Sequence, residues 1–261
     1  MPRPKRKCAF CDATAVDRGG EHLWDDWINK EIPPNTRFNA RKFLSIDSTP
    51  IEFEQWGLRE KVPSVCPKCN GSWMSELTAK MRANFSAAIL DAAPFSLGAR
   101  EAALLASFTL MKAIVKNYGY ANDEAFFTRA ASERLRTSKV IPPAVKMWFA
   151  AYQGASRYAF HSTFHTVSTS EPGLLEGMEF FSYTYVCGNL ALQLLAPRWK
   201  DMRDRSRPLL TLKPNLYWKP ATTQFWPYSG EALQWPPEKY LGDRLIKHFV
   251  YRFQSPITLR S

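Results

Sequence analysis

No apolar run in this 261-residue sequence is long enough to cross a bilayer. The longest, "AALLASFTLMKAIV", falls short of the roughly 20 residues a membrane helix needs, and Arg100, Glu101 and Lys112 flank or interrupt it. It reads as a buried helix. The basic opening "MPRPKRK" lacks the apolar stretch that would follow it in a secretory signal, because "CAFCDATAVDRGG" comes next. An intracellular, cytoplasmic protein with no membrane partner is the expectation. Internal repeats and low-complexity linkers are missing as well, which excludes repeat architectures.

Cysteine is scarce, five in all, and its placement is informative. Cys8, Cys11, Cys66 and Cys69 form two CxxC pairs, while Cys187 stands alone in apolar sequence as a small core residue. In a reducing compartment such pairs point to metal or redox chemistry before structural disulfides. Two knuckles supply four thiolates, the tetrahedral shell of structural zinc, with a redox pair or an iron-sulfur site as the alternatives. The long stretch from Asp12 to Val65 is no objection. Closing about 54 residues rather than about 20 costs ~1 kcal/mol more, against about 10–16 kcal/mol for zinc binding.

Positive charge is what the sequence has in plenty. The formal charge of +11 favours a polyanionic partner, nucleic acid first. Arg3, Lys5, Arg6 and Lys7 make residues 1–7 a basic arm, which either reaches phosphates or serves as a solubilising tail. Arg198, Lys200, Arg203, Arg205 and Arg207, diluted by Asp201 and Asp204, form either a phosphate-tracking surface or a solvated helix face. With 45% hydrophobic and 23% charged residues, the chain is globular and long enough for a small module joined to a larger domain.

Patterning places the elements. "TRFNARKFLSI" and "PIEFEQWGLREKV" are rich in aromatic and β-branched residues and flank the turn-prone "DSTP", which predicts a hairpin. Trp73, Leu77, Met81, Phe85 and Ile89 recur at helical spacing, predicting a helix over 72–92 that Pro94 ends. Two more helices are expected over 97–118 and 123–137, the second capped by Asn122, before "IPP" at 141–143. "RYAFHSTFHTVS" and "EFFSYTYVCGNLALQLL" read as strands, paired across "EPG". The end is expected to wrap irregularly over the core before a short helix over 238–251. Its Tyr217, Trp218, Trp226, Tyr228 and Trp235 either fill core or stack on unpaired bases. His161 and His165 share one face of a strand, as core or groove residues or as a metal pair.

Between the knuckles lies "GGEHLWDDW", a carboxylate directly before a histidine, and Asn70 follows the second knuckle. In the order CxxC, Glu-His, CxxC-Asn, residues 8–85 resemble the HNH, or ββα-metal, endonucleases in their two-knuckle form. "EHLWDDWINK" and "VCPKCNGSWMSELTAKM" also resemble a group of bacterial and phage HNH-type proteins, pointing to phage biology or bacterial defence. The resemblance implies an α+β fold: a zinc-bound ββα-metal (HNH-like, treble-clef) module over residues 8–93, fused to a mainly helical α+β domain over 94–261. It implies a Mg2+- or Mn2+-dependent endonuclease acting on DNA, with His22 as general base and Glu21 and Asn70 as ligands of the catalytic cation. The chemistry fits those residue types. An imidazole titrates near neutral pH, and hard oxygens hold Mg2+ while leaving positions open for phosphate and water. Read on their own, Glu21 and His22 are equally a turn pair, and Asn70 a helix N-cap. A non-catalytic zinc-stabilised nucleic-acid-binding or scaffold protein is the alternative. Trp24 and Trp27 read as core.

Overall fold

A computed structural model describes residues 7–13, 20–42, 51–58, 60–120, 125–155, 157–166, 178–199 and 221–251. Arg3, Lys5, Arg6, Asn122, Lys200, Asp201, Arg203, Asp204, Arg205, Arg207, Tyr217 and Trp218 lie outside them, as do the "DSTP" and "EPG" turns. The fold is mixed α+β.

The first part alternates short strands, helices and the two knuckles. Strand β1 (Glu21–His22) leads into helix α1 (Asp26–Glu31), followed by β2 (Arg37–Lys42), β3 (Ile51–Trp56) and β4 (Lys61–Val62). The expected hairpin forms as β2 against β3, in register from Arg37 opposite Trp56 to Lys42 opposite Ile51. Strand β1 pairs with β4 instead, so the knuckles approach one another across the base of the hairpin. The second knuckle carries a one-turn helix, α2 (Pro67–Cys69), then a kinked turn over Asn70–Met74 and helix α3 (Ser75–Asp91). Leu77, Met81, Phe85 and Ile89 line its buried face, as their spacing predicts.

The second part departs from the mainly helical expectation, because it is organised around a sheet. After β5 (Phe95–Leu97) come helices α4 (Ala99–Tyr120) and α5 (Arg129–Ser138). Then follow β6 (Lys146–Tyr152), β7 (Tyr158–Thr166), β8 (Met178–Cys187), β9 (Leu190–Trp199), β10 (Thr223–Trp226), β11 (Leu233–Trp235), β12 (Tyr240–Leu241) and helix α6 (Asp243–Tyr251). Six strands form one sheet in the order β10-β6-β9-β8-β7, with β12 added parallel to β6. The physical reason is two-sided burial. Strand β6, which the pattern does not announce, is buried from Met147 to Tyr152, with Met147 and Phe149 in the main core and Ala150 and Tyr152 in a smaller cluster that includes Ile246 and Phe249 of α6. Strands covered on both faces lose the polar alternation that announces them.

Helix α4 is the centre of the molecule: every residue from Leu105 to Lys116 is buried. One hydrophobic cluster runs without interruption from Cys8 to Trp235. Trp24 and Trp27 belong to it, and Trp235 stacks on Phe95 with ring centroids 5.3 Å apart. Helix α5 starts later than expected, at Arg129, because Thr128 caps it by accepting a hydrogen bond from Ala131 N at 3.2 Å. Replacing Thr128 with alanine is expected to lower stability by about 1 kcal/mol in chemical denaturation. Arg198 of β9 donates to Glu179 and to the Ala125 and Phe126 carbonyls, so within the predicted basic cluster it ties the sheet to the chain before α5. His161 and His165 lie on β7, opposite Thr184 and Phe180 of β8. Among the described residues no helix is long and apolar enough to cross a membrane.

Candidate metal centre

The four knuckle cysteines converge. Their sulfurs all lie within 4.8 Å of one another, and Cys11 Sγ is 3.4 Å from Cys66 Sγ. A tetrahedral ion with bonds of about 2.3 Å holds its sulfurs about 3.8 Å apart, so the donor set fits a metal ion such as zinc. Among the described residues this is the one group of three or more His, Cys, Asp or Glu side chains arranged to hold a metal. Backbone contacts preorganise it. Ala9 N donates to Ser64 O at 2.7 Å, which clamps the knuckles together, and Phe10 N points at Cys8 Sγ at 3.4 Å.

The sulfurs do not share one electrostatic state. Burial pushes the Cys8 and Cys69 thiols up, and the neighbouring sulfurs add to this at Cys69. Burial acts the same way on Cys66, but the Cys69 N–H and hydrogen bonds from the other thiols outweigh it and hold Cys66 below the ordinary thiol value. A buried group of four sulfurs cannot ionise fully without a cation among them. Around the site, Phe10 meets Trp73 edge-on at 4.9 Å, and Arg129 donates to the Cys8 carbonyl and pairs with Asp12. Helix α5 is thereby fastened to the first knuckle.

Glu21 and His22 sit on β1, beside a corner that sequence reasoning did not assemble. Lys112, fully buried on α4, donates from Nζ to Glu21 Oε1 (3.0 Å), Asp25 Oδ1 (2.7 Å) and the His22 carbonyl (2.8 Å). Burial disfavours its charge, but the Asp25 and Glu21 carboxylates outweigh it and raise the ammonium above the ordinary lysine range. Thr78 of α3 reaches the same Asp25 oxygen at 3.5 Å, whereas Asp25 Oδ2 is buried without a hydrogen-bond partner. The available signal was the charge that interrupts the apolar run of α4, since a buried lysine requires carboxylate partners.

His22 keeps its side chain about a quarter exposed, with Nε2 3.2 Å from Asp26 Oδ1 and Nδ1 buried without a partner. Burial holds its pKa below the usual imidazole value, and Asp26 pulls it part of the way back. Asn70, half-buried, donates its backbone N–H to the Cys66 carbonyl at 3.0 Å and lies in the kinked turn rather than at an N-cap. Among the described residues no hydrogen bond joins Asn70 to Glu21 or His22. Comparison of the chain with protein families, with curated proteins and with solved structures gave no match.

Proposed function

We propose that this chain is a zinc-stapled nucleic-acid-binding protein, and that its Glu21-His22 corner serves the fold rather than phosphodiester cleavage. The observation that carries this reading is the commitment of Lys112. Its ammonium is held by Glu21, Asp25 and the His22 carbonyl, so a cation arriving at Glu21 would have to displace a buried, triply bonded charge. The nitrogen of His22 that has no partner is the one closed to solvent. Zinc is the metal the four cysteines suit best, because an all-thiolate tetrahedral set leaves no open position for substrate. The net charge of +11 supplies the attraction for a polyanion, DNA first.

Fluorescence anisotropy with labelled duplex DNA across a salt series tests the reading. The expected result is retention at low salt, falling by on the order of a hundredfold or more between about 50 and 200 mM as counterions are released. Absence of binding even at low salt would sink it in favour of a scaffold role.

A second reading, a metal-dependent HNH-type endonuclease, is favoured by one observation. His22 is partly open, and burial holds its pKa below the usual imidazole value against the pull of Asp26, a direction that favours the neutral form a general base needs. Supercoiled plasmid incubated with Mg2+ or Mn2+ separates the two. Nicking by the wild type that disappears in His22→Ala would replace the first reading with the second.

A further inference from the structure

The geometry points to a hard-cation site made by Glu21, Asp25 and the main-chain carbonyl of His22, which this chain fills with the ammonium of its own Lys112 in place of a metal ion. Three oxygens from two carboxylates and one carbonyl converge on one point, at 3.0, 2.7 and 2.8 Å from Nζ. A lysine ammonium has three donors, and all three are used. The site is closed: Lys112 is 0% exposed, Glu21 6% and Asp25 4%.

Charge counting shows what the site would accept. The two carboxylates bring two negative charges and the ammonium returns one, leaving an excess negative charge in the interior. Asp25 Oδ2, buried without a hydrogen-bond partner, is where that excess is least compensated. A divalent ion would cancel the pair in full. The other cations nearby are Lys116, one turn further along α4 and 3.7 Å from Glu60, and the exposed Lys61, opposite His22 in the register, while Asp26 faces His22. The hydrogen bonds to the two carboxylates come from Lys112 and Thr78.

Size selects among divalent ions. Calcium takes oxygens at about 2.3–2.6 Å and tolerates irregular shells, whereas magnesium demands about 2.0–2.1 Å in a near-ideal octahedron. Starting from oxygens 2.7–3.0 Å from a common centre, calcium needs the smaller contraction. Replacing Lys112 with alanine removes the cation and leaves room along the former side chain for an ion and its waters. The ligands come from β1, which pairs with β4, and from Asp25 at the start of α1.

The test is thermal unfolding of Lys112→Ala, with zinc kept saturating, in the presence and absence of calcium. Without calcium the variant is expected to melt well below the wild type. At free calcium about a hundredfold above its dissociation constant, the melting temperature is expected to rise by about 5–10 °C. Magnesium should act only at higher concentration, the wild type should not respond, and the neutral triple variant Glu21→Gln, Asp25→Asn, Lys112→Met should not respond either. A flat calcium response in Lys112→Ala, or an equal response in the triple variant, overturns the proposal. If Lys112→Ala cannot be purified folded, refolding from denaturant with calcium must restore its near-ultraviolet signal, and failure to do so also overturns it. These readouts involve no nucleic acid, so they stand or fall separately from the binding proposal.

Discussion

Stripping the metal from the four-cysteine centre is expected to unfold the knuckles and the elements they join, and Cys69→Ser is expected to do the same without a chelator. Cys8, Cys66 and Cys69 are buried, and no described secondary-structure element precedes β1 to hold the first knuckle in place. The described contacts that hold it are the Ala9 to Ser64 hydrogen bond, the edge-on contact of Phe10 with Trp73 and the bonds of Arg129 to the Cys8 carbonyl and Asp12, to which an ion held by the four cysteines would add. Structural zinc contributes about 10–16 kcal/mol in small peptides, while a whole domain is stable by only about 5–15 kcal/mol. Even a fraction of that contribution decides whether this end of the chain is folded. Without the ion, four sulfurs crowd into a buried space where burial already pushes Cys8 and Cys69 toward the protonated thiol.

The consequence should spread beyond the knuckles, because the hydrophobic cluster that includes Cys8 and Cys69 continues into α3 and α4. The measurements are zinc release followed with a colorimetric chelator, and tryptophan near-ultraviolet dichroism, which reports on Trp73 and on the buried Trp24 and Trp27. Loss of the signal on chelation and its return on adding zinc are expected. Acid should reproduce the loss, because protons compete with the metal for thiolates and metal affinity falls as pH falls. A chain that releases its metal and melts at an unchanged temperature would show that the centre carries no stability.

The metal centre was legible because its signal is local. Two cysteines three positions apart lie on one turn wherever the chain goes, and two such pairs supply the four sulfurs of a tetrahedral metal shell. The hairpin and α3 were legible for the same reason, since alternation and helical spacing are properties of a few consecutive residues. Lys112 is the opposite case. Its presence inside an apolar helix announces a buried charge, yet its partners lie 91 and 87 residues away, and nothing local selects Glu21 and Asp25 among the acidic residues. The role of ligand for an external cation comes to Glu21 from the HNH resemblance, and no local feature of the sequence sets Lys112 against it. Strand β6 escaped notice through its own burial, because "MWFAAY" lacks the alternation of a half-covered strand. The start of α5 was misplaced because Asn122 and Thr128 are both competent caps, and tertiary packing decides between them.

Gly188→Ala is expected to destabilise the protein by about 3–5 kcal/mol, because the turn between β8 and β9 is the cap on the helix that leaves the second knuckle. Gly188 has φ +58°, and a Cβ there would sit 2.0 Å from the Ile89 carbonyl oxygen, a backbone atom that cannot rotate aside. The close approach has a purpose. The last carbonyls of a helix have no partner within it. Here Asn189 supplies them, with its backbone N–H 2.8 Å and its side-chain amide 3.1 Å from Ile89 O, and the same amide 3.1 Å from Leu90 O. Arg157 adds a hydrogen bond to Leu90 O at 3.2 Å. The turn therefore holds the end of α3 against the sheet while the knuckles hold its beginning. An added methyl group pays the left-handed backbone penalty of about 1–2 kcal/mol and also drives Asn189 off the helix end, losing several of these hydrogen bonds together. Thermal unfolding should show a drop on the order of 10 °C. Gly71→Ala is the internal control, since nothing lies within 4 Å of the Cβ it would carry and its φ is not in the left-handed range. It should melt with the wild type. If the two variants melt together, the turn is not what fixes α3 against the sheet.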